Sequence, residues 1–524
     1  MKAHILHSGR IFTGVSEGPW SHAVAIVGGK IAALDQAALA WRSAPGTTEE
    51  DLNGALIIPG ITDAHIHLMW YARSLHELDL RDLSRGETLD ELRRRAEKTP
   101  IGTWITGRGW DQNIWSDRSF PTAVELDSVA PTHPVAFDAK NAHVLVANSA
   151  AMRAAGISAQ TPDPPRGKIA RDGNGNPTGL FFEEAIDLIT AAKPQPDFAT
   201  LQDMFDTAQR ALLAQGITGV HDVDGNPAFA VEQELACRGR LRIRIVKYIR
   251  RESLDAAIAA KLRSGLGDDW LRLGGVKLFV DGALGSRTAA LFAAYQEEPH
   301  NTGMLMLEPN ELEEIAQRAV AGGLALAIHA IGDRANHLVV DTLMSVKPLN
   351  SRLRHRIEHA QLITPEDQRR LARAGFVASM QPTHAIHDRQ MAERYWGNRS
   401  AQAYAWHSLL DAGANLAFGS DAPIEVSDPF LGLYAAVTRR SEIDGAPGPE
   451  GWYPEQRLTL IEALGAYTLG AAYAAGLEQQ LGLLAPGYYA DLVELDRDIF
   501  KLPPPALLET QVVRVMVNGE WQLL

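Results

Sequence analysis

Residues 57–68 read IIPGITDAHIHL, an apolar run interrupted by Pro59 and Gly60 and ending in two histidines one residue apart. Successive side chains of a strand point to opposite faces, so an extended run over 61–66 puts His65 and His67 on one side. Asp63 has the same parity but sits deeper, where orienting a neighbour is its expected role. Two histidines on one face can hold one ion together. A lone H-x-H pair is equally compatible with one packed imidazole and one loop imidazole. What the rest of the chain places beside the pair decides between the two.

After this run, short apolar segments rich in β-formers alternate with helix-like segments, the pattern of βα units in a parallel sheet. Candidate strands lie at 61–66, 217–221, 242–249, 273–280, 324–329, 354–359, 376–380 and 415–420. Helices are expected at 200–215, 226–239, 252–265 and 308–322. Eight such units close into a (β/α)8 barrel, a TIM-like α/β fold. Residues 1–56 read as short strands separated by Gly turns, and 480–524 read the same way, with an Asn-Gly turn signal at Asn518 and Gly519. The two ends are expected to pair into one composite β-sandwich domain around a hydrolase barrel over 57–479. The gap at 70–200 is too long for one connection and has strands of its own, so it is expected to be an inserted α+β subdomain over the barrel mouth. Residues 281–305, after the fourth strand, are long enough for a lid.

Composition narrows the function classes. The 524 residues are 46% hydrophobic with a net charge of −14, and the basic residues are scattered, which argues against a nucleic-acid partner. Apolar stretches stop far short of the roughly 20 residues needed to span a bilayer, so no membrane partner is expected. The start, MKAHILHSGRIF, has neither the basic region and apolar core of a secretory signal nor a transit-peptide profile, and a cytoplasmic location is expected. The one cysteine, Cys237, excludes disulfides within the chain and thiolate metal sites. Any metal must therefore be held by His, carboxylate or a Lys-derived oxygen. For self-association the prior is a homodimer.

Lys277 lies near the end of the fourth candidate strand, His329 and His359 close the fifth and sixth, and Asp421 follows the eighth. All fall at strand C-termini, the rim on which barrel active sites are built. Neutral imidazoles and carboxylates suit Zn²⁺ or a similar ion. A metal lowers the pKa of bound water to about 7, and Asp421 could both touch the metal and receive the proton of the attacking water. An ammonium cannot ligate, and alternation in GGVKLFVDGALG leaves an ion pair between Lys277 and Asp281 as the plain alternative.

Together, PGITDAHIHL, VKLFVDGALGSRTAAL, AIHAIGDRAN, RIEHAQ and FGSDAP resemble the amidohydrolase superfamily. More narrowly they resemble its YtcJ-like branch, which includes N-substituted formamide deformylases. The likeness extends to GRGWDQNIW and NAHVLVANSAAM in the insertion and PGYYADLVELD near the C-terminus. It implies a metal-dependent hydrolase in which His65 and His67 hold one divalent ion, of zinc type, and His329 and His359 a second. N-carboxylated Lys277 would bridge the two, and Asp421 would be ligand and catalytic proton shuttle. A centre with one ion is the alternative count.

For the small-molecule substrate, the candidates are His384 after the seventh strand, Asp281 and Arg287 in the lid, and Trp110 and His143 in the insertion. Each has a structural alternative: Trp110 as packing, and Arg287 as a partner of Glu297 or Glu298. His221 and Asp222, at the end of the second strand, are expected to orient a ligand histidine. The expected reaction is cleavage of the C–N bond of an N-acyl or N-formyl small molecule. The alternatives are a mononuclear deaminase of a small heterocycle and a catalytically silent scaffold of the same fold.

Overall fold

The structure, a computed structural model, describes residues 2–15, 18–140, 144–165, 167–346 and 352–523. Two compact units make up the chain: Met1–Trp70 with Phe205–Leu524, and Tyr71–Met204.

In the first unit an eight-stranded parallel sheet curls into a nearly closed barrel, each strand bonded to the next in chain order. The strands are β1 (Ile61–Ile66), β2 (Ile217–Asp222), β3 (Arg244–Arg250), β4 (Leu271–Phe279), β5 (Ala325–Ala330), β6 (Arg356–His359), β7 (Val377–Met380) and β8 (Asn415–Phe418). They are almost wholly buried, as strands covered on both faces must be, which is why they read as apolar runs instead of strict alternations. The seam between β8 and β1 is closed just past the strand ends. There the Asp421 amide donates to the His65 carbonyl at 2.7 Å and the His67 amide to that of Ala422 at 2.9 Å. Asp63 fastens the same seam: its Oδ1 accepts from the amides of His65 and Ser420 at 3.0 Å, and its Oδ2 from the Ser420 hydroxyl at 2.5 Å.

Helices flank the barrel near the expected positions, at Phe198–Ala214, Asn226–Cys237 and Pro309–Ala321. The helix expected over 252–265 is cut to Leu254–Ala259. Lys261 takes a left-handed φ of 58°, and Gly265 and Gly267 follow with φ of 91° and 129°, so the chain cannot continue the helix.

Strands from both chain ends share one further sheet of eight strands. Leu492–Leu495 lies antiparallel to Leu56–Pro59, with Leu492 opposite Pro59, so the last part of the chain is stitched to the segment that feeds β1. Leu6, Ile11, Val24, Ile57, Leu492 and Met516 form its core on one side. A buried bidentate pair ties this sheet to the barrel, Arg244 Nε and Nη2 donating to Asp491 at 2.6 and 3.0 Å.

The second unit is a six-stranded mixed sheet in the order Gly167–Arg171, Pro177–Glu183, Val144–Ala147, Val135–Ala139, Ile105–Trp110, Leu78–Asp79. Capping boxes at Ser84/Glu87 and Thr122/Glu125 start two of its helices. Among the described residues no helix is long and apolar enough to cross a membrane.

Candidate metal centre

β1 delivers His65 and His67 to the C-terminal rim, where each Nε2 stands 3.4 Å from Oδ1 of Asp421 beyond β8. One ligand atom from each of the three lies within 4.8 Å of the others. His359 from the end of β6 and His384 from the helix after β7 make a second such group with the same Asp421. The His384 Nε2 is 3.3 Å from its Oδ2.

Two of these side chains reach the centre because the backbone leaves the strand path. His359 and Asp421 have φ of 73° and 62°, left-handed for non-glycine residues. In β6, Arg356 and Glu358 already occupy the inward face, so plain alternation would turn His359 away; the left-handed turn brings it back. Such conformations cost about 1–3 kcal/mol each and persist where the surroundings hold them.

The other nitrogen of each imidazole is held as well. His65 Nδ1–H donates to Glu358 at 2.5 Å, His67 Nδ1–H to Asp224 at 2.9 Å, and His359 Nδ1–H to Gln381 Oε1 at 2.8 Å. In a neutral ring these acceptors hold the proton on Nδ1, which makes Nε2 the nitrogen that faces a metal. Glu358 is held in turn by the wholly buried Arg356, which donates to it at 2.5 Å and to Nδ1 of His221 at 2.7 Å.

Among the buried polar atoms without a hydrogen-bond partner are His65 Nε2, Asp421 Oδ1 and Lys277 Nζ of this centre. Leaving one buried polar atom unsatisfied costs about 1–3 kcal/mol, and native structures rarely tolerate it. An imidazole nitrogen and a carboxylate oxygen left unsatisfied at one centre, with a buried amine that could act through an added oxygen, suit a ligand set for a divalent cation. The residues present therefore fit the metal.

The electrostatics agree. Burial, then the nearby charge of Lys277, pushes His65 down to about 4 and His329 down to about 3, so both are neutral at pH 7. His359 also lies well below the ordinary histidine value, by burial and by His329. Burial opposes the charge on His67, but Asp224 and Asp421 hold it up at about 9. Asp421 lies well below the usual carboxylate range despite burial, because His384 and His67 face it. The centre is built around a carboxylate that demands positive charge. Burial lowers Lys277 to about 8.

Other candidates fall elsewhere. His329 stands beside His359 with ring centroids 4.7 Å apart, but its Nε2 turns to the Gly282 carbonyl at 3.1 Å. His384, expected against the substrate, lies beside His359 and Asp421. Lys277 does not pair with Asp281, whose carboxylate, expected against the substrate, accepts from the amides of Ala290, Ile331 and Gly332 at 2.9–3.0 Å and folds the 281–305 loop onto the barrel. Arg287 is paired with Glu298 at 2.7 Å. Trp110, 1% exposed, lies in the core of the second unit, stacked on Trp115, with its indole N–H on the Phe137 carbonyl. A ring so enclosed has no face for a substrate. His143 lies outside the described residues.

Sequence reasoning passed over Asp224, Glu358, Arg356 and Gln381. The signal for two of them was present: Arg and Glu two apart in an apolar strand share a face and must satisfy each other. Asp224 had a weaker one, as the last carboxylate of HDVD, beyond the end of β2. The expected orienting pair acts at one remove: His221 accepts from Arg356, and Asp222 accepts from the amides of Leu68 and Asp224 at 2.9 and 3.1 Å.

The amidohydrolase family matches residues 48–521, nine-tenths of the chain. The chain belongs to the amidohydrolase family. The amidohydrolase YtcJ of Bacillus subtilis is 33% identical over 530 residues, covering 99% of both chains. An N-substituted formamide deformylase of Arthrobacter pascens is 28% identical over 517 residues, 95% of this chain and 94% of its own. Among solved structures, an uncharacterized metal-dependent hydrolase of Pyrococcus horikoshii superposes with a TM-score of 0.80 at 30% identity, over 96% of this chain and 99% of that one. The amidohydrolase centre described above thus sits on a fold shared with metal-dependent hydrolases.

Proposed function

We propose that this amidohydrolase cleaves the C–N bond of an N-acyl or N-formyl small molecule at a centre of two divalent ions of zinc type. The observation that carries it is the grouping of His65, His67 and Asp421 within 4.8 Å at the rim, with His65 Nε2, Asp421 Oδ1 and Lys277 Nζ all buried and without a hydrogen-bond partner. Such ions supply Lewis-acid polarisation of a carbonyl and lower the pKa of water to about 7.

His65 and His67 would hold one ion, and His359 with His384 or His329 the other. Lys277, carboxylated on Nζ, would add oxygen ligands to the set. Asp421 faces both groups of ligands, so it is placed to take the proton of the attacking water and pass it to the departing nitrogen. His384 beside Oδ2 holds the carboxylate ionised in the orientation that task needs. The amide-type bond is supported by the formamide deformylase relative, whose length is matched nearly in full.

The test is a screen of the zinc-loaded protein against N-formyl, N-acetyl and carbamate derivatives of small amines, with esters alongside. Turnover of an N-acyl or N-formyl substrate that Asp421→Asn abolishes is the expected result. Turnover of esters alone, or an active Asp421→Asn, would overturn the assignment.

A further inference from the structure

The rim carries one more charge that this chemistry does not use. Arg250 closes β3 in register with Lys277 of β4. It has the parity of Tyr248, whose ring lies in the barrel interior against Arg356, so Arg250 points to the same interior one step nearer the rim. Its guanidinium stands 4.9 Å over the Phe279 ring, the ring that has Lys277 Nζ at 4.9 Å and the His329 ring at 5.3 Å.

The other cations of this stretch have carboxylates. Arg244 has Asp491, Lys247 has Asp222 and Glu232, and Arg251 has Glu311. Among the described residues Arg250 alone of these has no ion pair and no hydrogen bond from its side chain. A half-buried guanidinium is normally paired. Arg287, the arginine expected to grip a substrate carboxylate, is satisfied by Glu298 instead.

We infer that Arg250 binds a carboxylate of the substrate, so that the amide cleaved belongs to the N-acyl amino acid class. The guanidinium offers parallel N–H donors in a planar fork that fits a carboxylate in two-point contact. Phe279 covers one face of the fork, so a ligand meets its edge. A carboxylate held there lies beside Lys277 and His329, with the rest of the molecule directed toward Asp421. This inference rests on the amide-hydrolase assignment and sharpens it.

The test compares N-formyl-phenylalanine with its C-terminal amide on the zinc-loaded enzyme and on R250Q and R250K. Wild type is expected to favour the acid, and R250Q to cut the acid-to-amide ratio of kcat/KM by roughly 100-fold, the scale of losing one partner of a close charge pair. R250K, with the charge but not the fork, is expected to fall between. Equal kcat/KM for acid and amide in wild type, or an unchanged ratio in R250Q, would overturn the inference. So would loss of bound zinc in both variants, which would assign Arg250 to the metal centre. Should neither compound be hydrolysed, the amide-hydrolase assignment fails on its own, and calorimetric binding of the same two probes decides Arg250. Tighter binding of the acid that R250Q removes supports it, and equal binding of acid and amide overturns it.

Discussion

The left-handed backbone at His359 and Asp421 shows which parts of the centre the chain announces and which it does not. His65, His67, Lys277 and Asp421 are legible because their residue types fall at strand ends, where one rim collects them. The partition of ligands is not legible, since it depends on ring orientation: His384 turns toward Asp421 and His329 toward Gly282. Also hidden is the group that aims His65, because Glu358 is adjacent in sequence to His359 and only the turn at His359 lets both face inward. Glu358→Gln is expected to weaken zinc affinity about 10–100-fold, read by competition with a chromophoric chelator, since the outer partner of a ligand histidine carries that much. An unchanged affinity would remove Glu358 from the metal centre.

At the scale of elements, the strands were readable to within two residues because a buried parallel strand is an unbroken apolar run, whereas the helix at 254–259 was overestimated because nothing in its periodicity registers a left-handed Lys261. In the loop after β4, Asp281 gathers three backbone amides. Asp281→Asn replaces one acceptor oxygen with a donor facing amide N–H groups, so it is expected to speed hydrogen exchange at Ala290, Ile331 and Gly332 and to cost about 2 kcal/mol in urea unfolding. Unchanged protection at those amides would contradict its role as anchor. The helix after β7 is pinned by His387, which bonds Glu425 at 2.6 Å and Glu442 at 3.0 Å, with Asp388 next to it in the chain. Although burial opposes the charge, these carboxylates raise His387 to about 10. Its folded pKa exceeds the unfolded value of about 6.5, so its contribution is complete below pH 6.5 and disappears as the pH rises through about 10. His387→Gln is therefore expected to destabilise the protein at pH 6 and to make little difference at pH 10.5. An equal loss at both pH values would show that packing, not charge, is what His387 supplies.

Over the whole molecule, the sheet shared by the two chain ends is held to the barrel through Arg244 and Asp491, and both side chains are buried. Removing one partner leaves the other charged and buried, so Asp491→Asn is expected to cost about 3–5 kcal/mol of unfolding free energy, measured by chemical denaturation. A loss within about 0.5 kcal/mol would mean that the pair is not what joins them. The strand pattern at both ends was visible in sequence, but this pair was not, because Arg244 and Asp491 are 247 positions apart and each looks like an ordinary surface charge. The central claim concerns the rim: a centre assembled from His65, His67, His359, Lys277 and Asp421 holds divalent metal. Elemental analysis of wild type and Asp421→Ala, each equilibrated with zinc and freed of unbound ion, tests it most directly. Two zinc ions per wild-type chain, falling in the variant, is the result expected; equal zinc in both proteins, or none in wild type, would contradict it.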